Sequence, residues 1–564
     1  MNDTVKFGGI DLAVLCVYLV GVVSFGLYMG LRQRLGRQTG AGYFLAGHSL
    51  SWVTIGLALF STNISALHLV SLAQQGYING LVYGNFEWMA AFALIALALF
   101  FAPFYIKTRV PTLPDFLQRR YGQGCRDFLA VISILNAIFI HIGFSLYAGS
   151  LILHALFGID VWVSVITITV LTGLYAAVGG LTAVVMTESV GTIVLLAGSC
   201  LLTVFGIVKC GGFNEMLHLI GEAGKVNPAA TMSVLRPAGD PSGMPWFSMV
   251  LGYPVISIWY WCADQTIVQR VLGAKSENDA RNGALFAGFI KILPVFLFVL
   301  PGLIYLGLTY QNPVQKTDEV YATMIQDLLP VGLRGVIAAA LLAALMGPIS
   351  GSLNSMATLF SYDLYRRIRP QASDRETIHV GRIATFAGIV IAILWTPLVA
   401  NFKTIFDGIS MLLCFVAPPV STVFFWGIFW RGASYRGALA ALWGGFVLCL
   451  GTFLVFYAPL GWAQGVGGSF GATWLSVLTW FDTTVVKGYY VNYMVMSFVL
   501  FIICSIILHV VSRLKPDAPD AARAELTWPH PFAALRGPWQ GLGDFRLVSG
   551  VLLVTMMFLY VIFR

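Results

Sequence analysis

Phe60-Ser61-Thr62-Asn63-Ile64-Ser65-Ala66-Leu67-His68 is the stretch on which the fold turns. It lies inside an apolar segment, between Trp52-Val53-Thr54-Ile55-Gly56-Leu57-Ala58-Leu59 and Leu69-Val70-Ser71-Leu72-Ala73. Hydroxyls, an amide and an imidazole stand where lipid would demand apolar side chains. A helix that breaks near the bilayer midplane, its freed carbonyls and amides facing a cavity, accounts for this pattern. A single Ser or Thr can close back onto its own helix, and a single Asn can tie two spans together. Five polar residues clustered here, His68 among them, call for more than that and point to a site for an ion or a solute.

The rest of the chain is of the same kind. Its 564 residues are 58% hydrophobic and only 10% charged, against about a quarter charged in soluble domains, so the chain is an all-α polytopic membrane protein in a lipid bilayer. A net charge of +8 would suggest nucleic acid in a soluble protein. Here Lys and Arg sit in short loops between apolar spans and set orientation, so no nucleic acid partner is expected. Cys16, Cys200, Cys210, Cys262, Cys414, Cys449 and Cys504 fall in or beside apolar spans and Cys125 in a polar loop, with neither a disulfide framework nor a metal spacing. The first apolar run, Ile10 to Leu31, is too long for the core of a cleaved leader and is expected to remain as a span.

About fourteen transmembrane helices are predicted from apolar stretches of about twenty residues. Arg32, Arg34 and Arg37 follow the first, and Lys107, Arg109, Arg119, Arg120 and Arg126 follow the third. Arg270, Lys275 and Arg281, then Arg366, Arg367, Arg369 and Arg375, then Arg431 and Arg436, continue in alternate loops. These loops are cytoplasmic by the positive-inside rule, which places both termini outside. Residues 515–543 form the one sizeable polar insert, read as a cytoplasmic loop. Tyr253-Pro254-Val255-Ile256-Ser257 interrupts the span near 245–270 much as Thr62-Asn63 interrupts that near 51–79. Two interrupted spans five helices apart are the trace of an inverted repeat of five plus five helices.

Ionisable groups inside apolar spans are costly and default to function. The candidates are His68, Glu87, Glu188, Asp264 and Lys291. A carboxylate, a cation and an imidazole converging with Ser257 suit a neutral, hydroxyl-rich solute, which needs donors and acceptors together. A Glu–Lys pair that only locks two helices is the alternative. Trp259-Tyr260-Trp261, beside the second interruption, offers aromatic faces that cover a sugar ring or that simply pack.

These residues fall into a wider pattern: Tyr43-Phe44-Leu45-Ala46-Gly47, Asn63-Ile64-Ser65, Phe86-Glu87-Trp88, Thr112-Leu113-Pro114-Asp115-Phe116-Leu117-Gln118-Arg119-Arg120, Gly179-Gly180-Leu181-Thr182-Ala183-Val184, Trp259 through Arg270, and Phe429-Trp430-Arg431-Gly432. In order and spacing the pattern resembles the sodium/solute symporter family, in its sodium/glucose cotransporter branch. The resemblance implies a leucine-transporter-like inverted five-helix repeat with discontinuous first and sixth core helices, working by alternating access. One helix (10–31) precedes it, the repeats span 51–210 and 245–430, and accessory helices fill 435–564. By resemblance His68, Glu87, Lys291, Ser257, Ser410 and Trp261 bind the solute, with Asp264 nearby. Tyr260 is the inner gate; Leu72, Phe86 and Phe406 form the outer gate. Ser257 and Ser410 stand where the family commonly has Asn and Gln.

For the sodium site the resemblance implies the backbone carbonyls of Thr62, Ile64 and Ala344, two adjacent Ser hydroxyls and a nearby acid. Here Gly347-Pro348 occupies the Ser positions and Glu188 the acid position. A small hard cation that loses two oxygen ligands binds more weakly. Pro348, having no amide hydrogen, frees the Ala344 carbonyl in partial compensation. The expected function is sodium:solute symport of a glucose- or galactose-like sugar or related polyol across a plasma membrane, the inner membrane if the chain is bacterial. The alternatives are a proton-coupled or uncoupled sugar transporter and a non-transporting sugar sensor. No cofactor is expected beyond the coupling ion, Na+ or H+. No nucleophile–base pair or metal spacing accompanies the cavity residues, so the chain is not expected to be an enzyme.

Overall fold

The computed structural model describes residues 8–34, 39–399, 405–458, 468–518 and 520–564. Among them the apolar segments are helical, and extended pairing is limited to an isolated bridge between Leu50 and Ala274. Eleven helices are long and apolar enough to cross a membrane. The two longest are about two crossings each: His68–Thr108 has 41 residues and Val161–Cys210 has 50, about 60 and 75 Å at 1.5 Å per residue against a hydrocarbon core of about 30 Å. The first turns at Gly80 (φ 69°) and the second at Gly180 (φ 58°). At Gly180 a Cβ would lie 2.3 Å from the Tyr43 carbonyl oxygen, and the Tyr43 hydroxyl donates to the Ala177 carbonyl at 2.7 Å. Both the backbone conformation and the close approach therefore require glycine.

Two crossings are built from half-helices, one of them using the N-terminal part of the His68–Thr108 segment. The first joins α2 (Trp52–Asn63) to α3 (Ala66–Asn79), after α1 (Gly9–Arg34). Its break lies at Ile64 and Ser65, both extended, just past the expected Thr62-Asn63. Then follow α4 (residues 85–108), α5 (residues 123–157) and α6 (Val161–Cys210). The second broken crossing comprises α7 (Trp246–Ser257), a π-turn over Ile258–Ala263, and α8 (Gln265–Leu272). Here the sequence expectation needs correction. Helix α7 runs straight through Pro254, and the break falls at Asp264, which is extended (φ −83°, ψ 124°) and caps α8 by accepting the Thr266 amide at 2.7 Å. Proline removes one amide hydrogen without ending a membrane helix, because surrounding groups re-satisfy the freed carbonyl.

Further long helices are α9 (Glu277–Thr309), α10 (Leu333–Ile368), α11 (Asp374–Val399), α12 (Ile405–Phe429), α13 (Tyr435–Tyr457), α14 (Tyr493–Leu514) and α15 (Phe545–Ile562), with shorter helices at Leu113–Arg120, Phe213–Val226, Val320–Leu328 and Gly468–Phe481. The centre is α10, which packs along α6 and α1 and is almost wholly buried. Helices α13, α14 and α15 are mostly exposed apolar surface, as helices facing lipid are.

Several residues of the sequence pattern join helix ends. Arg120 donates to the carbonyls of Gly427 (2.7 Å), Trp430 (3.0 Å) and Ala433 (3.2 Å), satisfying the orphan acceptors at the end of α12. Gln265 Oε1 accepts the Leu113 amide at 2.8 Å, and Gln269 Nε2 donates to Phe44 O at 2.9 Å. The polar insert is docked: Trp528 donates from its amide to Ile428 O (2.8 Å) and from its indole to Phe100 O (3.0 Å). Past it, Asp544 caps α15, and the adjacent Arg546 guanidinium holds its carboxyl well below the usual carboxylate range.

Candidate functional site

A cavity of about 150 Å³ lies where the two broken helices face each other. The first break contributes Asn63, Ser65 and His68 to its wall, α4 contributes Phe86 and Glu87, and α12 contributes Ser410. From α7 and its π-turn come Tyr253, Ser257, Tyr260 and Trp261, and from α10 comes Pro348. Opposite these, α5 supplies His141, Phe144 and Ser145. Single-turn π segments recur at functional sites because they rotate side chains out of the 3.6-residue register. Two of them, Asn136–Ile142 and Ile258–Ala263, carry His141, Tyr260 and Trp261.

Local folding sets the orientation of His68. Its Nδ1 accepts the Ser65 amide at 3.1 Å and lies 2.9 Å from the Ser65 hydroxyl, a cap on the first turn of α3. In the neutral ring the proton then sits on Nε2. Ser257 donates to Pro254 O at 3.2 Å. The Tyr260 hydroxyl accepts from Asn63 Nδ2 at 3.1 Å, linking the two breaks.

Glu87 and Lys291 form a buried ion pair with a closest approach of 2.5 Å. Glu87 lies on the cavity wall, whereas Lys291, expected to touch solute, is absent from the lining. Its ammonium stands behind the wall, donating to Glu87 and to Asn63 Oδ1, with the rings of Trp261 and Phe60 at 5.5 and 5.6 Å. The gate residues divide in the same way. Phe86 lines the cavity next to Tyr83 and Tyr253, and Leu72 is fully buried away from the wall. The side chain of Phe406 lies outside the described residues.

Thr62, Glu188 and Arg270 form a second buried cluster. Arg270 Nη2 approaches Glu188 Oε1 at 2.5 Å and its Nε approaches Oε2 at 3.3 Å. The Thr62 hydroxyl lies 2.7 Å from Ala58 O and 3.0 Å from Glu188 Oε1. Glu188 is thus neutralised by the protein's own guanidinium. At the proposed ion seat α10 runs tightly against α2: a Cβ on Gly347 would lie 2.8 Å from Ser61 Oγ and 2.9 Å from Ser61 O. No serine fits at 347 unless the helices separate. Pro348 has no amide hydrogen to offer the Ala344 carbonyl, and the carbonyls of Thr62 and Ile64 lie at the broken end of α2.

Asn63 and His141 belong to the cavity yet were not among the sequence candidates for solute binding. Asn63 carried its signal in the opening polar run. His141 carried the same signal as His68, an imidazole inside an apolar span. Asp264 is brought close to it: His141 Nε2 lies 3.5 Å from Asp264 Oδ2, which also accepts from Asn136 Nδ2 at 3.0 Å.

The pattern of the sodium:solute symporter family matches residues 43–445. The sodium/glucose cotransporter 4 of Danio rerio is 32% identical over 549 residues, covering 92% of this chain and 80% of that protein. The sodium/myo-inositol cotransporter 2 of Mus musculus is 34% identical over 467 residues, covering 78% of this chain and 69% of its own. Among solved structures, a Na+-coupled sialic acid symporter in a substrate-bound outward-open state superposes with a TM-score of 0.74 at 21% identity, over 91% of this chain and 99% of that one. It shares the leucine-transporter-like fold. With the family pattern matched over most of its length and a relative 32% identical across 92% of it, the chain belongs to the sodium:solute symporter family.

Proposed function

We propose that this protein is a secondary transporter that carries a sugar or related polyol by alternating access. One observation carries the reading: His68, Glu87, Ser257 and Ser410 offer donors and acceptors on one cavity wall, beside the aromatic faces of Tyr260 and Trp261, where two helices break. A solute with hydroxyls around an apolar ring face uses both kinds of surface. The names of the relatives, a glucose and a myo-inositol cotransporter, support that solute class. Lys291 acts from behind the wall by fixing Glu87 and Asn63. Tyr260 closes the inner side, and Leu72, Phe86 and Phe406 close the outer side.

The relatives' names also support sodium as a coupling ion. The seat we propose for it is the carbonyls of Thr62, Ile64 and Ala344, with Gly347, Pro348 and Glu188 around it. The seat has no hydroxyl pair, so its affinity is low. Helices 51–210 and 245–430 form the two inverted repeats, 10–31 precedes them and 435–564 is accessory. Basic loops place both termini outside the cytoplasm, in a plasma membrane or a bacterial inner membrane. The test is counterflow of labelled glucose, galactose and myo-inositol in liposomes without any ion gradient. Label entering against an internal pool of the same solute is expected. Solute binding without counterflow would overturn transport in favour of a sensor.

A further inference from the structure

We infer that His141 and Asp264 form a proton-binding site on the solute cavity, through which a proton is carried together with the solute. The inference rests on the carrier reading and adds the identity of a coupling ion.

The geometry has three parts. His141 stands on the cavity wall, and its Nε2 is buried with no hydrogen-bond partner. The nearest acid oxygen, Asp264 Oδ2 at 3.5 Å, is beyond a good hydrogen bond but within ion-pair reach. Asp264 is itself 3% exposed and is held by Asn136 Nδ2 at 3.0 Å and by the Thr266 amide at 2.7 Å. A neutral imidazole with its hydrogen on Nε2 offers Asp264 a donor but no charge. When it takes a proton from cavity water, both ring nitrogens become donors, and the contact with the carboxylate becomes an ion pair. The same proton returns to water when the cavity faces the other side, and no further reactant is needed.

Other charges do not compete. Tyr260, whose ring centre is 6.0 Å from that of His141, is the neighbouring hydroxyl. Across the cavity Glu87 is neutralised by Lys291, and His68 Nδ1 is occupied by the Ser65 amide. On the packed elements, Glu188 of α6 is paired with Arg270. Residues 335–361 of α10, 383–396 of α11 and 409–429 of α12 contain no acid, Lys, Arg or His.

The site also spans two bodies that must move. His141 belongs to α5, a continuous helix, and Asp264 is the hinge residue between α7 and α8. A proton binds better to the conformer that brings them together, and by linkage it stabilises that conformer. This is how a proton at one wall biases the broken helix that carries Tyr260 and Trp261.

The test uses the full-length protein in sodium-free liposomes loaded with a pH-sensitive dye. Counterflow at equal pH first selects a carried solute from labelled glucose, galactose and myo-inositol. An outside-acid gradient of about one pH unit is then expected to drive accumulation toward about tenfold for one proton per solute, with acid entering alongside. His141→Gln should bring the ratio of gradient-driven accumulation to counterflow down to its equal-pH value. Asp264→Asn should move the half-maximal pH of stimulation downward, because the imidazolium loses its carboxylate partner. Firm counterflow with neither acid entry nor a gradient effect would overturn the proton site and leave the carrier reading intact. Counterflow failing for every solute overturns the carrier reading and the site with it. Unchanged coupling and pH dependence in folded His141→Gln overturns the assignment to this residue. Should either variant fail to fold by size exclusion, acid entry in the wild type decides.

Discussion

Thr62 and Asn63 are adjacent at the end of α2, yet each is bound to a different buried ion pair. The Thr62 hydroxyl joins Glu188–Arg270, and the Asn63 amide joins Glu87–Lys291. Successive helical residues point about 100° apart, so the broken end of α2 is fixed on two faces by the same chemistry. Both pairs close to 2.5 Å, and all four side chains are nearly inaccessible. What separates them is reach: Glu87 lines the cavity and Glu188 does not. A buried ion pair by itself is weak evidence for function, because each charge has lost water that its partner must replace. The pair that a solute can touch is the one that gains a second role.

Breaking the cavity pair should have the largest effect. Glu87→Ala strands a buried ammonium and is expected to destabilise the protein by about 3–5 kcal/mol while abolishing solute binding. The double replacement Glu87→Met with Lys291→Met removes both charges. It should recover most of the melting temperature without recovering binding. Thermal unfolding in detergent and equilibrium solute binding separate the two losses, and near-wild-type affinity in the double variant would remove Glu87 from the solute site.

The second pair predicts the opposite split. Glu188→Ala strands Arg270 at a comparable cost of about 3–5 kcal/mol, but Glu188→Met with Arg270→Met should restore both the melting temperature and, within about threefold, solute affinity. A loss of affinity as deep as that of the Glu87 variants, in a folded protein, would mean that the two pairs act as one unit and erase the distinction between them.

This distinction was only half visible in the sequence. Membrane class and the first broken helix follow from hydropathy and from polar residues at 61–68, because lipid tolerates few exceptions. Glu87, Glu188 and Lys291 announce themselves for the same reason. Their pairing does not, since it depends on which faces of separate helices meet. Lys291 could not be placed behind the wall rather than on it. Pro254 suggested a break ten residues before Asp264 because a missing amide is visible in sequence, whereas a side-chain cap becomes recognisable only once the helix start is known. His141 is marked in the sequence only as an imidazole inside an apolar span. The π-turn at Asn136–Ile142 shifts the register on which helical periodicity relies, so no 3.6-residue pattern assigns that residue to the cavity.

The contact between α2 and α10 beneath the cavity gives a smaller and sharper prediction. Gly347→Ser adds a hydroxyl beside the proposed ion seat, but its Cβ would press on Ser61. A destabilisation of about 1–3 kcal/mol is expected from overpacking, with no gain in sodium-stimulated uptake. Gly347→Ala should cost the same, because the obstacle is the Cβ rather than the hydroxyl. Strong sodium stimulation in the serine variant alone would show that the helices part readily and that the seat is built for the ion.

The smallest effect should come from the link between the two breaks. Tyr260→Phe keeps the ring on the cavity wall and deletes only the acceptor of the Asn63 amide, whose Nδ2–H can turn to cavity water. The net worth of such a bond is about 1 kcal/mol, so the half-saturating concentration for counterflow should change by no more than about fivefold. Tyr260→Ala removes the ring as well, exposing the solute's apolar face and opening the inner side of the site, and should lose most counterflow. Counterflow measured across a range of solute concentrations tells the two apart. Equal losses in both variants would place the function of Tyr260 in its hydroxyl, making the Asn63 link, rather than the aromatic cover, the element that carries movement from one broken helix to the other.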